Sequence, residues 1–289
     1  MSSFKINTLC IIGVGSIGGS LATALRAAKV VNKIIGVGRN SRQLDIAKQS
    51  SVIDETSTDI VSAAKQSDVI VVATPLGTMA EVFEQLKDCL PEETVLTDVG
   101  SAKQQVINDV ESCFSKLPPR FIPGHPIAGT EKSGVQAASA DLFKQRRVIL
   151  TPHNNTDVTA LELVRKMWQA CGAEVIDMQA VHHDEVLAAT SHLPHMLAYA
   201  LVDTLARMDD NREIFDYAAG GFRDFTRIAS SDPQMWHDIC VANREQLTKV
   251  LHAFNEDLQR LTKAVESADS EFLKETFIRA KTARDKFCG

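Results

Sequence analysis

The sequence predicts a doubly wound parallel α/β sheet followed by an all-α C-terminal domain. Three observations carry this reading. From Thr8 to about Met178 short, continuous apolar runs alternate with helical patterns; the first run ends in Gly13-Val14-Gly15-Ser16-Ile17-Gly18; and after Met178 the strand signal stops, with glycine and proline sparse outside 220–233. Runs that are apolar at every position belong to strands covered on both faces, as in a parallel sheet. With about 150 residues per domain as a guide, 289 residues suggest two domains, read here as 1–178 and 179–289.

Taken in order, strands are expected at 9–12, 33–37, 68–73, 94–97, 120–122, 147–150 and 174–176, and a helix from about 17 to 28. In the second half, Asp232 before Pro233 reads as a helix N-cap with proline at the first helical position. Beyond it Leu247, Val250, Leu251, Phe254, Leu258, Leu261 and Val265 recur every three or four residues and mark one apolar helical face. Either a second subunit or burial within one chain accounts for that face.

Composition narrows the function. Hydrophobic residues make up 44% and the formal net charge is −6, with no long basic run, which argues against nucleic-acid or membrane-surface partners. Small-molecule chemistry is the default, and an anionic substrate then needs locally placed cations. The six cysteines show neither a Cys-x-x-Cys pair nor zinc spacing, which fits reduced thiols in the cytoplasm. Neither a signal peptide nor a run of about 18 apolar residues is evident.

In a strand-turn-helix setting the glycines acquire separate jobs and make the first domain Rossmann-type. Gly13 permits the tight turn, Gly15 lets the backbone approach a pyrophosphate, and Gly18 allows close helix-on-strand packing, with Ser16 and Ile17 opening the helix beneath the phosphates. About 20 residues on, where NAD-preferring proteins carry an acidic residue, the chain has Gly38 and Arg39 with Ser41 and Arg42 nearby. This favours the 2′-phosphate of NADP over NAD, while Arg39 stacking on adenine suits either cofactor. Thr74 and Pro75 follow the third strand, either beside the cofactor or as a simple strand-ending turn.

Four further segments carry polar chemistry. Ser101 follows the strand at 94–97 and faces either the crevice chemistry or its own helix, since Ser101-Ala102-Lys103-Gln104 also fits a capping box. His125, between Gly124 and Pro126, is excluded from a helix interior and is expected in a loop, where a pKa near neutrality suits a general base. His192 and His195, within Ser191-His192-Leu193-Pro194-His195, begin or interrupt the first long helix; no convergent third ligand makes them or His182-His183-Asp184-Glu185 a metal site. Gly220-Gly221 reads as a hinge before Arg223 and Arg227, whose planar forks suit a carboxylate or a surface acid.

In order, Gly-Val-Gly-Ser-Ile-Gly-Gly-Ser-Leu, Asp-Val-Gly-Ser, Gly-His-Pro-Ile-Ala-Gly-Thr-Glu-Lys-Ser-Gly, Ser-His-Leu-Pro-His and Gly-Gly-Phe-Arg-Asp-Phe-Thr-Arg-Ile-Ala resemble the prephenate/arogenate dehydrogenase family of tyrosine biosynthesis, from about Leu9 to Trp236. The resemblance implies oxidative decarboxylation of a cyclohexadienol by a homodimer. It makes His125 the base that draws off the hydroxyl proton and Ser101 the group that orients hydroxyl and histidine. It gives Arg227 a substrate carboxylate, helped by His195 or His192, and puts Thr130, Glu131 and Trp236 at the substrate, with Glu131 and Trp236 bordering or gating the pocket. The chain departs from some family members in that no further α/β unit is read beyond the helices, so any tyrosine feedback is expected at the active site or not at all.

Two rivals frame that reading. Another two-domain hydroxyacid dehydrogenase would want a catalytic lysine that the sequence does not identify. A non-catalytic NADP sensor leaves the co-occurrence of His125, Ser101 and Arg227 unexplained.

Overall fold

The apolar runs of the first half become a six-stranded parallel sheet. Its strands are β1 (Ile6–Ile12), β2 (Val31–Val37), β3 (Glu55–Ser57), β4 (Val69–Val72), β5 (Val95–Asp98) and β6 (Phe121–Ile122), in the order β3-β2-β1-β4-β5-β6. The structure is a computed structural model in which residues 4–129, 134–208 and 211–287 are described.

Side chains of β1 alternate between two cores, which is why its sequence is apolar throughout. Leu9 and Ile11 join Leu21, Leu25, Ile34, Val71, Phe143 and Trp168 on one face. Cys10 and Ile12 join Ile35, Val72, Phe83, Leu96, Val106 and Phe121 on the other. Each fully buried Leu, Ile or Phe contributes roughly 1.5–3 kcal/mol relative to an exposed one. Trp236 and Ile239 of the Pro233–Ala242 helix join the second cluster.

Strand order reverses between β1 and β4, and the carboxyl ends of these two strands therefore flank the crevice where ligands of such sheets bind. Gly13 closes the turn after β1 at φ +102°, and a Cβ there would stand 2.6 Å from the Ala73 carbonyl oxygen after β4.

Two sequence expectations need correction. The runs at 147–150 and 174–176 do not extend the main sheet; they form β8 (Arg147–Leu150) and β9 (Glu174–Asp177) of a separate three-stranded sheet. Its third member is β7 (Gly124–Pro126), antiparallel to β8, so His125 lies on a short strand opposite Ile149 and not in a loop. The chain leaves the main sheet at Pro123, and an edge strand tolerates the missing donor of Pro126. The polar β3, Glu-Thr-Ser, carried no apolar signal because it is an edge strand with little burial.

From Ala180 onward the described residues form helices without strands. Pro194 lacks an amide hydrogen, and the turn just before it, Ala188–His192, widens to a π-helical turn before the Leu193–Ala206 helix. The glycine pair expected to be a hinge opens the helix Gly220–Thr226. Asp232 caps the next helix as expected, accepting from the Met235 amide at 2.9 Å. Two compact units are resolved, residues 1–244 and 245–289, and every residue of the site below lies in the first. No described helix is long and apolar enough to cross a membrane.

Candidate active site

The cofactor end follows from the turn after β1. A Cβ on Gly18 would collide with the Gly13 carbonyl oxygen and press on Ile11, whereas a Cβ on Gly15 meets nothing within 4 Å. Gly13 and Gly18 are thus required by the protein's own packing, whereas Gly15 is not. The Ser16–Ala27 helix has no side-chain cap at Gly15, so its leading amides and positive dipole end are available to an anion. The hydroxyls of Ser16 and Thr74 are buried without hydrogen-bond partners among the described residues. This combination of bare amides, orphaned hydroxyls and an unencumbered glycine fits a dinucleotide pyrophosphate. Pro75 is exposed beside them, and Arg39, Ser41 and Arg42 are exposed at the end of β2, where the Val37 carbonyl accepts from Gly13 at 2.8 Å.

The polar centre is built around a buried ion pair. Lys103, 0% exposed, binds Asp98 at the end of β5 and donates to the Gly124 carbonyl at 2.7 Å, while Asp98 accepts from the Gly124 amide at 3.2 Å and the Gly100 amide at 2.7 Å. Burial lowers the Lys103 pKa, against the pull of Asp98. Gly124 is gripped on both sides, and a Cβ there would approach the Asp98 carbonyl to 3.2 Å. The backbone that presents His125 is therefore fixed.

His125 is 9% exposed, and its Nδ1 lies 2.8 Å from Nε2 of His183; His183 Nδ1 in turn lies 2.7 Å from Asp184 Oδ1. The Lys103 and Gln104 amides donate to the two Asp184 oxygens at 2.8 and 2.9 Å. Asp184 thus caps the Lys103–Phe114 helix, and the capping box that was one of two readings of Ser101 is not formed: the N-cap is Ala102. The Ser101 side chain is half-buried, and its hydroxyl makes no hydrogen bond among the described residues. Burial above all, followed by His183, Lys103 and His192, pushes the His125 pKa well below the ordinary histidine value, so the ring is an unprotonated base at neutral pH.

Of the other two histidines, His192 ends the π turn and His195 lies in the first turn of the helix that follows. His192 is buried, with Asn243 Nδ2 3.1 Å from its Nδ1, and burial lowers its pKa to about 4. Asn243 also donates to the Asp184 backbone carbonyl at 2.8 Å, which joins His192 to the His183 element. His195 donates from Nδ1 to the Ser191 carbonyl at 2.9 Å and stacks on Trp236 with ring centroids 3.6 Å apart. His192 meets the same Trp236 ring edge-on at 6.1 Å, and among the described residues no cluster suits a metal ion. Arg227 is exposed and begins the turn Arg227–Ser230, which the Tyr199 hydroxyl ties to the Leu193–Ala206 helix by donating to the Ser231 carbonyl at 2.6 Å. Thr130 and Glu131 lie outside the described residues.

Sequence reasoning missed Lys103, Asn243 and the use of His183 and Asp184. A lysine five residues after a strand-ending aspartate, and a His-Asp pair in an otherwise exposed tetrad, were the available signals. Neither reveals which neighbour it meets.

A glycine-turn sheet with a buried, unprotonated histidine at its carboxyl edge defines an NAD(P)-dependent oxidoreductase. More narrowly, the chain belongs to the prephenate dehydrogenase family: residues 21–177 match its nucleotide-binding domain and residues 179–279 its dimerization domain. The chain is 36% identical to the cyclohexadienyl dehydrogenase of Zymomonas mobilis over 98% of this chain and 96% of that one. It is 36% identical to the prephenate dehydrogenase of Bacillus subtilis over 96% of this chain and 76% of that one. Among solved structures it resembles prephenate dehydrogenase from Aquifex aeolicus in complex with hydroxyphenyl propionate and NAD+ (TM-score 0.91, 38% identity, 99% of each chain). Arogenate dehydrogenase from Synechocystis superposes with a TM-score of 0.80 at 28% identity, over 97% of this chain and 99% of that one.

Proposed function

We propose that this chain oxidatively decarboxylates prephenate, arogenate or both, giving 4-hydroxyphenylpyruvate or tyrosine, with hydride passing to NAD(P). The observation that carries the reading is His125, a buried imidazole kept unprotonated on a rigid strand that follows the last strand of the parallel sheet. The relatives named above, which include cyclohexadienyl, prephenate and arogenate dehydrogenases, support the substrate class.

Each residue then has a task. Gly13, Gly15, Ser16, Ile17 and Gly18 receive the pyrophosphate, with Thr74 and Pro75 along the crevice. NAD(P) bound there supplies the hydride acceptor. His125 takes the proton of the ring hydroxyl as hydride leaves the same carbon; loss of carbon dioxide aromatises the ring and makes the step effectively irreversible. Ser101 orients the hydroxyl and His125. Arg227 anchors a substrate carboxylate with help from His195 or His192, and Trp236, stacked on His195, borders the pocket; Thr130 and Glu131 are assigned to substrate binding by the resemblance alone. Arg39, Ser41 and Arg42 favour the 2′-phosphate of NADP over NAD.

The chemical division falls near residue 178, a boundary supported by the two family matches. The same reading makes the protein a homodimer, supported by the Ser270–Phe287 helix, which buries no residue and leaves Phe277 and Ile278 exposed. A monomer in sedimentation at assay concentration would overturn the dimer. We place the enzyme in the cytoplasm, where the buried thiols of Cys10 and Cys171, both pushed up to about 12 by burial, stay reduced.

The test is initial-rate reduction of NADP and of NAD with prephenate and with arogenate offered separately. Turnover in any of the four combinations supports the reading and identifies both preferences; none in all four sinks it.

A further inference from the structure

The His183-Asp184 pair is not used by the chemistry above, yet both side chains are buried and point at the base. Asp184 receives two backbone amides at the positive end of the Lys103–Phe114 helix and the ring of His183. Although burial pushes its pKa upward, the hydrogen bonds from His183, Lys103 and Gln104 hold the Asp184 carboxyl below its ordinary value. An ionised carboxylate only accepts. The proton between Asp184 and His183 therefore sits on His183 Nδ1. His183 is itself buried, and burial lowers its pKa, so it is neutral and its Nε2 carries a lone pair. At 2.8 Å the facing nitrogen must bring the hydrogen, so His125 is protonated at Nδ1. Its Nε2 is left bare.

We infer that His183 and Asp184 are positioning residues that fix His125 in the Nδ1–H tautomer, with Nε2 as the basic atom, and that hold its positive charge after it has accepted the substrate proton. The inference rests on the proposed role of His125. As the hydroxyl proton bonds to Nε2, His125 becomes an imidazolium whose Nδ1–H remains directed at His183, and the charge is balanced through that ring by Asp184. Titratable groups surround the chain on every side. Lys103, paired with Asp98, flanks it from the helix after β5, and His192 from the π turn. Asn243 holds the Asp184 backbone carbonyl from the helical side.

The alignment is specific to this arrangement. His182, one residue earlier, is exposed and faces Glu185 at 3.4 Å, so the pair is selected by the helix phase of Ala180–Leu187, which turns His183 and Asp184 inward together. An amide in place of the carboxylate is neutral and offers one oxygen to the three donors that Asp184 accepts, so the imidazolium loses its counter-charge and the array its full pairing.

The test pairs a structural with a kinetic readout. In the wild-type protein labelled with ¹⁵N-histidine, long-range ¹H–¹⁵N correlation at neutral pH is expected to give His125 a protonated Nδ1 and a bare Nε2; the opposite tautomer overturns the inference. In Asp184→Asn, which removes the counter-charge, kcat should fall roughly 10²–10⁴-fold with the substrate KM unchanged. An unaltered kcat in the folded variant also overturns it. If Asp184→Asn does not fold, the wild-type tautomer decides alone. Wild-type protein that shows the expected tautomer but turns over none of the four substrate and cofactor combinations would refute the proposed function and not the tautomer.

Discussion

The base and the charged residues assigned to ligands occupy opposite environments. His125, His183, Asp184, Lys103 and Asp98 are buried and cross-linked by hydrogen bonds, whereas Arg39, Ser41, Arg42 and Arg227 are exposed. A proton acceptor must have one tautomer and one position before substrate arrives, and burial with full pairing enforces both. Cations that meet phosphate or carboxylate do better in water until the ligand displaces it, because an unpaired buried charge is costly. Rigidity is placed where a proton moves and solvation where charges meet.

The comparison is broken most severely by His125→Asn. It should leave nucleotide binding intact and lower kcat roughly 10²–10⁴-fold; unchanged turnover would remove the residue from the chemistry.

Acid should act selectively on the buried side. Folding lowers the His192 pKa from 6.5 to about 4, so as pH falls the unfolded chain takes up the proton first. Stability is full above 6.5 and drains away between there and about 4, by about 3 kcal/mol for this group, with His125 and His183 adding losses of the same sign. Denaturant midpoints measured across that window should drop with acidification, and a flat profile would show that these histidines are not buried in neutral form.

On the exposed side, Arg227→Ala should raise the substrate KM roughly 10–100-fold, the equivalent of a charged hydrogen bond of about 1.5–3 kcal/mol, with the acid profile unmoved. An unchanged KM would take Arg227 out of the pocket. Gly15→Ala sharpens the contrast further: with open space around its Cβ the melting temperature should hold while the nucleotide Kd rises about tenfold. A matched loss of stability would mean that the glycine serves the fold instead. Smallest of all, Arg39→Ala should cut the NADP-over-NAD ratio of kcat/KM by about fivefold, since exposed ion pairs are worth about 1 kcal/mol or less; an unchanged ratio leaves adenine stacking as its role.

How much of this was legible depended on whether the signal was local. The glycine spacing, the apolar runs and Asp232-Pro233 each report on a few adjacent residues, and strand, turn and cap formed where those patterns fall. Assigning 147–150 and 174–176 to the main sheet failed because an apolar run states that a strand is covered, not which strand it joins. Ser101-Ala102-Lys103-Gln104 suggested a self-contained cap, and the structure supplied a carboxylate from residue 184 instead.

By itself, then, the sequence determined the cofactor turn, the class of fold and the histidine flanked by residues that bar a helix, because sterics and hydrophobic period act over short spans of chain. Tertiary structure alone decided that Lys103 would be buried against Asp98, that His183 and Asp184 would reach His125, and that β7 would leave the main sheet. Those pairings join residues up to 81 positions apart. Their stability comes from removing water around all partners at once, a condition that no local window of sequence contains.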